Sequence, residues 1–275
     1  MSFTVSHEHG SLGMTDTATL HLAGTYRRRV AASLARIWEN VFDWEHLAHL
    51  HDGSFADCVL LDRGSWGWRV ALTPMGGTAR EIEMRADRAM GRYTSTTLDG
   101  VGTGSKIRVT LTPHGAGSVD VLVAFHLPEA NPGRLAALGE AYAAAYARLW
   151  DEDEAMMQAR ERMLARPNRI DRTAPPLDLG DEHLVRAALP LFFELGGAIF
   201  RLVRLNGNLV AHAAICPHWL GPLDTAPVID GAIRCPWHGY RFDVVSGRCA
   251  AHPEVRLAAA PSIRIDDGRV IARLC

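Results

Sequence analysis

Cys216-Pro217-His218 and, after 16 intervening residues, Cys235-Pro236-Trp237-His238 make a C-x-H…C-x-x-H pattern. Each segment supplies one thiol and one imidazole. Structural zinc sites usually pair like with like, as C-x2–4-C and H-x3–5-H. One of each kind per loop instead suits a two-iron cluster, with two thiolates on one iron and two imidazoles on the other. Imidazole in place of thiolate makes such a [2Fe–2S] cluster less negative and raises its potential. The pattern therefore predicts a moderate one-electron carrier. Around the two loops, from His183 to Cys275, the chain reads as many short strands with glycine turns. Among them is the Asn206-Gly207 hairpin signal between apolar runs.

Working toward the N-terminus, residues 166–182 (RPNRIDRTAPPLDLGDE) carry three prolines and scattered charges. They predict a linker, with one domain over 1–165 and a second over 183–275. The first part opens with an extended stretch, Thr17 to Arg29, then a helical segment, Ser33 to His51. Six strand-like runs follow: Ser54–Leu61, Trp66–Pro74, Thr78–Ala86, Arg92–Leu98, Lys106–Pro113 and Val119–Leu127. Glycines mark the turns between them. Gly100-Val101-Gly102-Thr103-Gly104 opens no helix and reads as a hairpin turn rather than a phosphate loop. An Ala-rich helix runs from Pro132 to about Arg166, with Leu135, Leu138, Tyr142, Tyr146 and Leu149 at helical spacing. The expected class is α+β, an antiparallel sheet wrapped round a long helix, followed by a small all-β domain. The order of elements resembles the helix-grip (START, or Bet v 1-like) fold, which implies an apolar cavity between sheet and helix. Trp66, Trp68, Val70 and Leu72 share one strand face and Val121, Val123 and Phe125 another, so either set could line that cavity or form core.

Bulk composition sets limits on the function. The formal net charge of -2 gives no electrostatic footprint for nucleic acid or an anionic membrane. Nowhere does an apolar run reach the roughly 20 residues of a membrane span. The N-terminus, MSFTVSHEHGSLGMT, has neither a basic region nor an apolar core. Of five cysteines, Cys58, Cys249 and Cys275 show no pairing pattern, which predicts a reducing, cytoplasmic setting.

The C-terminal part resembles a Rieske domain, on both loops, their spacing and the trailing His238-Gly239-Tyr240…Phe242-Asp243. Respiratory Rieske proteins add a cysteine to each loop. The corresponding positions here are Gly221 and Trp237, so the resemblance is to the oxygenase and ferredoxin branch.

A second constellation lies in Asn40-Val-Phe-Asp43-Trp-Glu-His46-Leu-Ala-His49-Leu-His51. Two histidines and a carboxylate leave open positions for oxygen on a non-haem Fe(II). Asp43 and His46 share a helical face. His46 and His51 are five apart, so the helix must loosen or end near Leu50 for both to reach one ion; in a regular helix His46 and His49 pair better. The segment resembles the N-x2–3-D-x2-H-x4–5-H pattern of Rieske non-haem iron oxygenases. That resemblance implies His46 and His51 as iron ligands. It implies Asp43 as a carboxylate bridging a ligand histidine to a cluster histidine, His238, with Asn40 completing the pattern. Trp150-Asp151-Glu152-Asp153…Gln158 resembles the family's later element and selects Asp153 as third ligand, with Asp151 or Glu154 as alternatives.

The function so implied is a terminal oxygenase that hydroxylates or demethylates an apolar substrate with O2. A separate reductase or ferredoxin supplies the electron, since no flavin or nicotinamide fingerprint is present. Such oxygenases usually place the Rieske domain first, so the order here is inverted. They commonly form homo-oligomers, head-to-tail trimers in which one subunit's cluster serves its neighbour's iron. Here a trimer, a dimer or delivery within one chain are all open. The rival reading is a non-catalytic Rieske ferredoxin-type carrier fused to a helix-grip ligand-binding domain.

Overall fold

A computed structural model describes residues 19–166 and 169–274. The start of the extended stretch at Thr17, the N-terminal segment, Pro167, Asn168 and Cys275 lie outside the described residues.

The first part comprises β1 (His21–Val30), α1 (Leu34–Phe42), α2 (Leu47–Leu50), β2 (Phe55–Gly64), β3 (Gly67–Pro74), β4 (Arg80–Asp87), β5 (Arg92–Asp99), β6 (Lys106–Pro113), β7 (Val119–Leu127) and α3 (Pro132–Leu164). Its strands form one antiparallel sheet in the order β1-β7-β6-β5-β4-β3-β2. Period-two alternation explains which face is inside: Val119, Val121, Val123, Phe125 and Leu127 of β7 are buried, while the residues between them are not. The glycine-rich 100–104 segment joins β5 to β6 as a turn. Asn131 caps α3 by accepting from Arg134 N at 3.0 Å, and Pro132 fills its first turn. The helix crosses β1 so closely that a Cβ at Gly139 would fall 2.1 Å from the Ala23 carbonyl oxygen. Only glycine allows that approach.

The expected single helix over Ser33–His51 is two helices. Ser33 caps α1. Asp43 ends it with φ -88°, ψ 86°, and α2 is one turn that stops at His51. The break lets Asp43, His46 and His51 reach partners on other elements, which one straight helix would splay around its axis.

The second part comprises β8 (Leu177–Asp181), α4 (Glu182–Ala187), β9 (Leu191–Leu195), β10 (Ala198–Leu205), β11 (Asn208–Ala213), β12 (Val228–Ile229), β13 (Ala232–Arg234), β14 (Arg241–Asp243), β15 (Ser262–Asp266) and β16 (Arg269–Arg273). These strands build three small antiparallel sheets, β11-β10-β9, β12-β13-β14 and β15-β16-β8. Asn206 and Gly207 make the β10–β11 hairpin with φ of 49° and 82°, the left-handed pair of a type I′ turn. β8 lies inside the stretch expected as a linker. Leu177 and Leu179 pack against the core around Phe200 and Val270, and β8 pairs with β16, so those residues belong to the second part.

The two parts share packing. Met156 of α3 is buried in the same apolar cluster as Cys216, Cys235 and Trp237, with Leu50 and Ala159 against it. Among the described residues, no helix is long and apolar enough to cross a membrane.

Candidate metal centres

The cluster loops hang from the ends of short strands. Cys216 follows β11 and donates its N–H to Gly221 O at 2.8 Å; Cys235 follows β13 and donates to Tyr240 O at 2.8 Å. Both thiols are buried and hydrogen-bonded to each other. That contact pulls Cys235 down, with help from the N–H groups of Trp237 and His238, and pushes Cys216 up. A thiolate, the ligating form, is thus close at hand. The rings of His218 and His238 lie 4.6 Å apart, and each keeps a buried Nδ1 without a hydrogen-bond partner. Burial, then the nearby His238, lowers His218 to about 4, so its imidazole is neutral and free to ligate. Two unpartnered imidazole nitrogens and two adjacent thiols are a donor set that fits a [2Fe–2S] cluster. A tetrahedral zinc would need the four donor atoms crowded round one point. Among the described residues, only His46, His51 and Asp153 crowd in that way. Glycine at 221 has a steric cause: a Cβ there would sit 2.9 Å from Cys235 Sγ and 3.0 Å from the Trp237 ring.

His46, His51 and Asp153 place one ligand atom each within 4.8 Å of one another, and all three are buried. Asp153 Oδ1 lies 3.4 Å from His46 Nε2 and 3.2 Å from His51 Nε2. Each ligand also has a second polar neighbour. Asn40 Nδ2 donates to Asp153 Oδ1 at 2.8 Å, and Glu152 Oε2 meets His51 Nδ1 at 2.5 Å. Asp43 Oδ2 lies 3.2 Å from His46 Nδ1 and accepts from His238 Nε2 at 2.7 Å. A single carboxylate therefore joins the cluster loop to the triad, within one chain.

Charge here is tightly balanced. Burial works to raise Asp43, but the hydrogen bond from His238 and the adjacent His46 outweigh it and hold the carboxyl well below the usual range. Asp153 is held low against burial in the same way, by His46 and His51. Burial disfavours the charged form of His46, yet Asp153 and Asp43 raise it to about 10. Two histidines and one carboxylate fit a mononuclear Fe(II).

Of the candidates expected from sequence, Asn40, Asp43, His46, His51 and Asp153 come together, as do Cys216, His218, Cys235 and His238. The alternatives lie elsewhere. His49 turns to the second part, where its Nδ1 meets Arg234 Nη2 at 2.9 Å and its ring covers Gly239. Asp151 and Glu154 pair with Arg28, which also accounts for part of the Arg27–Arg29 run. Glu152 was not singled out by sequence reasoning. Its only signal was membership of the acidic cluster.

Beside the triad lies a cavity of about 280 Å³, walled by Trp68, Leu72, Ile82, Met84 and Tyr146 among others. Trp68 and Leu72 belong to the core and also line the cavity, whereas Val121, Val123 and Phe125 are core alone.

Residues 177–261 match the family model of the Rieske [2Fe-2S] domain. The C-terminal part is a Rieske domain. The inverted order also holds, with the sheet-and-helix part first. The chain is 32% identical over 80 residues to human apoptosis-inducing factor 3, a match covering 29% of this chain and 13% of that protein. It is 31% identical over 102 residues to the oxygenase component of dicamba O-demethylase from Stenotrophomonas maltophilia, covering 36% and 27%. The chain thus spans well under a third of these relatives' length. Among solved structures, norcoclaurine synthase from Thalictrum flavum aligns at 16% identity with a TM-score of 0.40, covering 60% of this chain and 100% of that one.

Proposed function

We infer that the chain is the terminal oxygenase component of a Rieske non-haem iron system, with His46, His51 and Asp153 holding the mononuclear iron. Cys216, His218, Cys235 and His238 hold the cluster. The observation that carries this reading is Asp43, hydrogen-bonded to His238 and 3.2 Å from His46. When bound, the iron would supply one-electron chemistry with positions open to O2, and the cluster would supply the electron.

The chain's own residues have four tasks. Asp43 orients two imidazoles and links both centres through one carboxylate. Glu152 accepts from His51 Nδ1, which fixes the tautomer that leaves Nε2 free to ligate. Asn40 holds one oxygen of Asp153. The apolar walls exclude water and receive an apolar substrate, to be hydroxylated or demethylated. An external reductase or ferredoxin is the expected partner, and a reducing cytoplasm suits the free cysteines Cys58 and Cys249. That the Asp43 bridge closes within one chain supports electron delivery without a second copy.

Iron and sulfide analysis of the wild type and His46→Ala tests the reading. About three irons per chain, falling to about two with the cluster absorption intact, is the expected result. Two irons in both proteins would instead favour the ferredoxin-type carrier.

A further inference from the structure

One guanidinium lines the cavity without a hydrogen bond or ion pair. Arg80 opens β4, and its alternate neighbours Ile82 and Met84 line the same cavity, as does Leu72, its cross-strand partner on β3. Arg80 therefore stands on the apolar face of its strand. The acid beside it, Glu81, is on the opposite face, where it lies 3.5 Å from Arg69 Nε. Arg80 is half-buried as a residue, and its Nε is buried and makes no hydrogen bond. Leaving a guanidinium donor buried and unsatisfied is costly, and such a group is retained where something else completes it. The cavity's own carboxylates cannot do so, because Asp43 and Asp153 are taken up by His46, His51 and His238. Ser95 and Thr97, the small hydroxyl residues of the lining, are uncharged.

We propose that Arg80 is a substrate-recognition residue and that the molecule bound in this cavity is a small apolar carboxylate. A guanidinium matches a carboxylate in both charge and planar geometry. One cation calls for one negative charge, which disfavours a phosphate dianion. Size limits the rest of the molecule. An apolar cavity of about 150 Å³ holds benzene, and this one is about 280 Å³. One or two rings fit; a sterol skeleton does not. Pairing at Arg80 would hold the ring system in the cavity that the iron triad also lines. The assignment of this molecule as substrate rests on the oxygenase reading, whereas its binding does not.

Binding without O2 tests the proposal on the full, cluster-loaded chain. Calorimetric titrations compare 2-naphthoate with 2-naphthamide, which has nearly the same shape and no charge. In the wild type the carboxylate should bind at least about tenfold more tightly, as expected for a hydrogen bond between charged groups. Arg80→Gln should remove that preference, and Arg80→Lys should keep part of it. Cluster absorption and melting temperature report folding. If Arg80→Gln does not accumulate, the wild-type and Arg80→Lys comparison decides alone. Equal binding of acid and amide in the wild type overturns the proposal, as does an unchanged preference in Arg80→Gln. Tighter binding of 2-naphthyl phosphate overturns the carboxylate assignment. Failure of benzoate, phenylacetate and 2-naphthoate alike to bind at millimolar concentration also sinks it. Iron content is measured separately, so a chain with two irons that still prefers the acid would break the oxygenase reading and spare Arg80.

Discussion

The two candidate metal centres are built in opposite ways. The Rieske loops take four donors from 23 residues of chain, Cys216 to His238, and hold them by local backbone bonds such as Cys216 N to Gly221 O. The triad takes two donors from either side of a one-turn helix and a third from α3, about a hundred residues later. Its geometry depends on α3 lying where Gly139 lets it lie and on polar contacts with Asn40, Asp43 and Glu152. A locally held site should tolerate damage elsewhere. An assembled one should fail in graded ways as its supports are removed.

The sharpest way to break this contrast is to remove one donor from each. Asp153→Ala should abolish mononuclear iron binding and turnover while leaving the cluster absorption intact. Cys235→Ser should remove the cluster but leave Co(II) binding at the triad, read from its d–d absorption. If either variant lost both centres, the centres would be one cooperative unit, and the shared packing of Met156 against Cys216 and Trp237 would be the reason.

Asp43 is the one side chain that belongs to both centres. Asp43→Asn keeps the size of the group but removes the charge held between His238 and His46. Both metals should stay bound. The rate of cluster reoxidation in the presence of substrate and O2 should fall by about 10- to 100-fold, the usual range for a group supporting metal ligands. Mixing Asp153→Ala with Cys235→Ser chains should restore no such reoxidation, because the bridge closes within one chain. Recovery in the mixture would show that the working path runs between chains.

How much of each centre could be read beforehand follows from the same contrast. The cluster loops were legible because their donors are close in sequence and their spacing alone rules against zinc. His46 and His51 were less so. Their five-residue separation demanded a break in the helix, yet residues 43–51 contain no glycine or proline to announce one. Asp153 stood out from its acidic neighbours only through a family pattern, since helical periodicity does not say which acid turns inward. Glu152, next to it, carried no signal, and its reach to His51 is a tertiary fact. Arg80 was hidden because a charged residue in a strand ordinarily reads as a solvent-facing position. In the second part, Pro175-Pro176 argued for a linker more strongly than Leu177 and Leu179 argued for β8. A strand that pairs with the end of the domain nearly a hundred residues on gives little local evidence of itself.

Glu152→Gln probes a weaker support of the assembled centre. Glutamine can still accept from His51 Nδ1, but without the charge that makes the imidazole a better donor to metal. Metal affinity at the triad should drop by about tenfold, with the cluster unaffected. An unchanged affinity would mean that Asp153 and Asn40 suffice to hold the triad and that the close Glu152 contact contributes nothing.

The smallest effect is a proton. His46 is raised to about 10 by Asp153 and Asp43 against burial, whereas His218 in the cluster loop is lowered to about 4 by burial. The metal-free triad therefore carries a protonated His46 at neutral pH, and His218 is already neutral. A histidine whose folded pKa is raised stabilises the fold fully below its unfolded value near 6.5, and the contribution is lost as pH rises through about 10. Cluster-loaded protein with an empty triad should accordingly melt at lower temperature at pH 10 than at pH 7. Metal must displace that proton. Adding Co(II) to the same protein in weak buffer at pH 8 should release about one proton per metal bound, read with a pH indicator. Histidine 46 is the source, so His46→Gln, with its weaker site saturated, should release none. Proton release that persisted in the variant would place the charge on another group, and the two carboxylates would then be holding His46 by geometry alone.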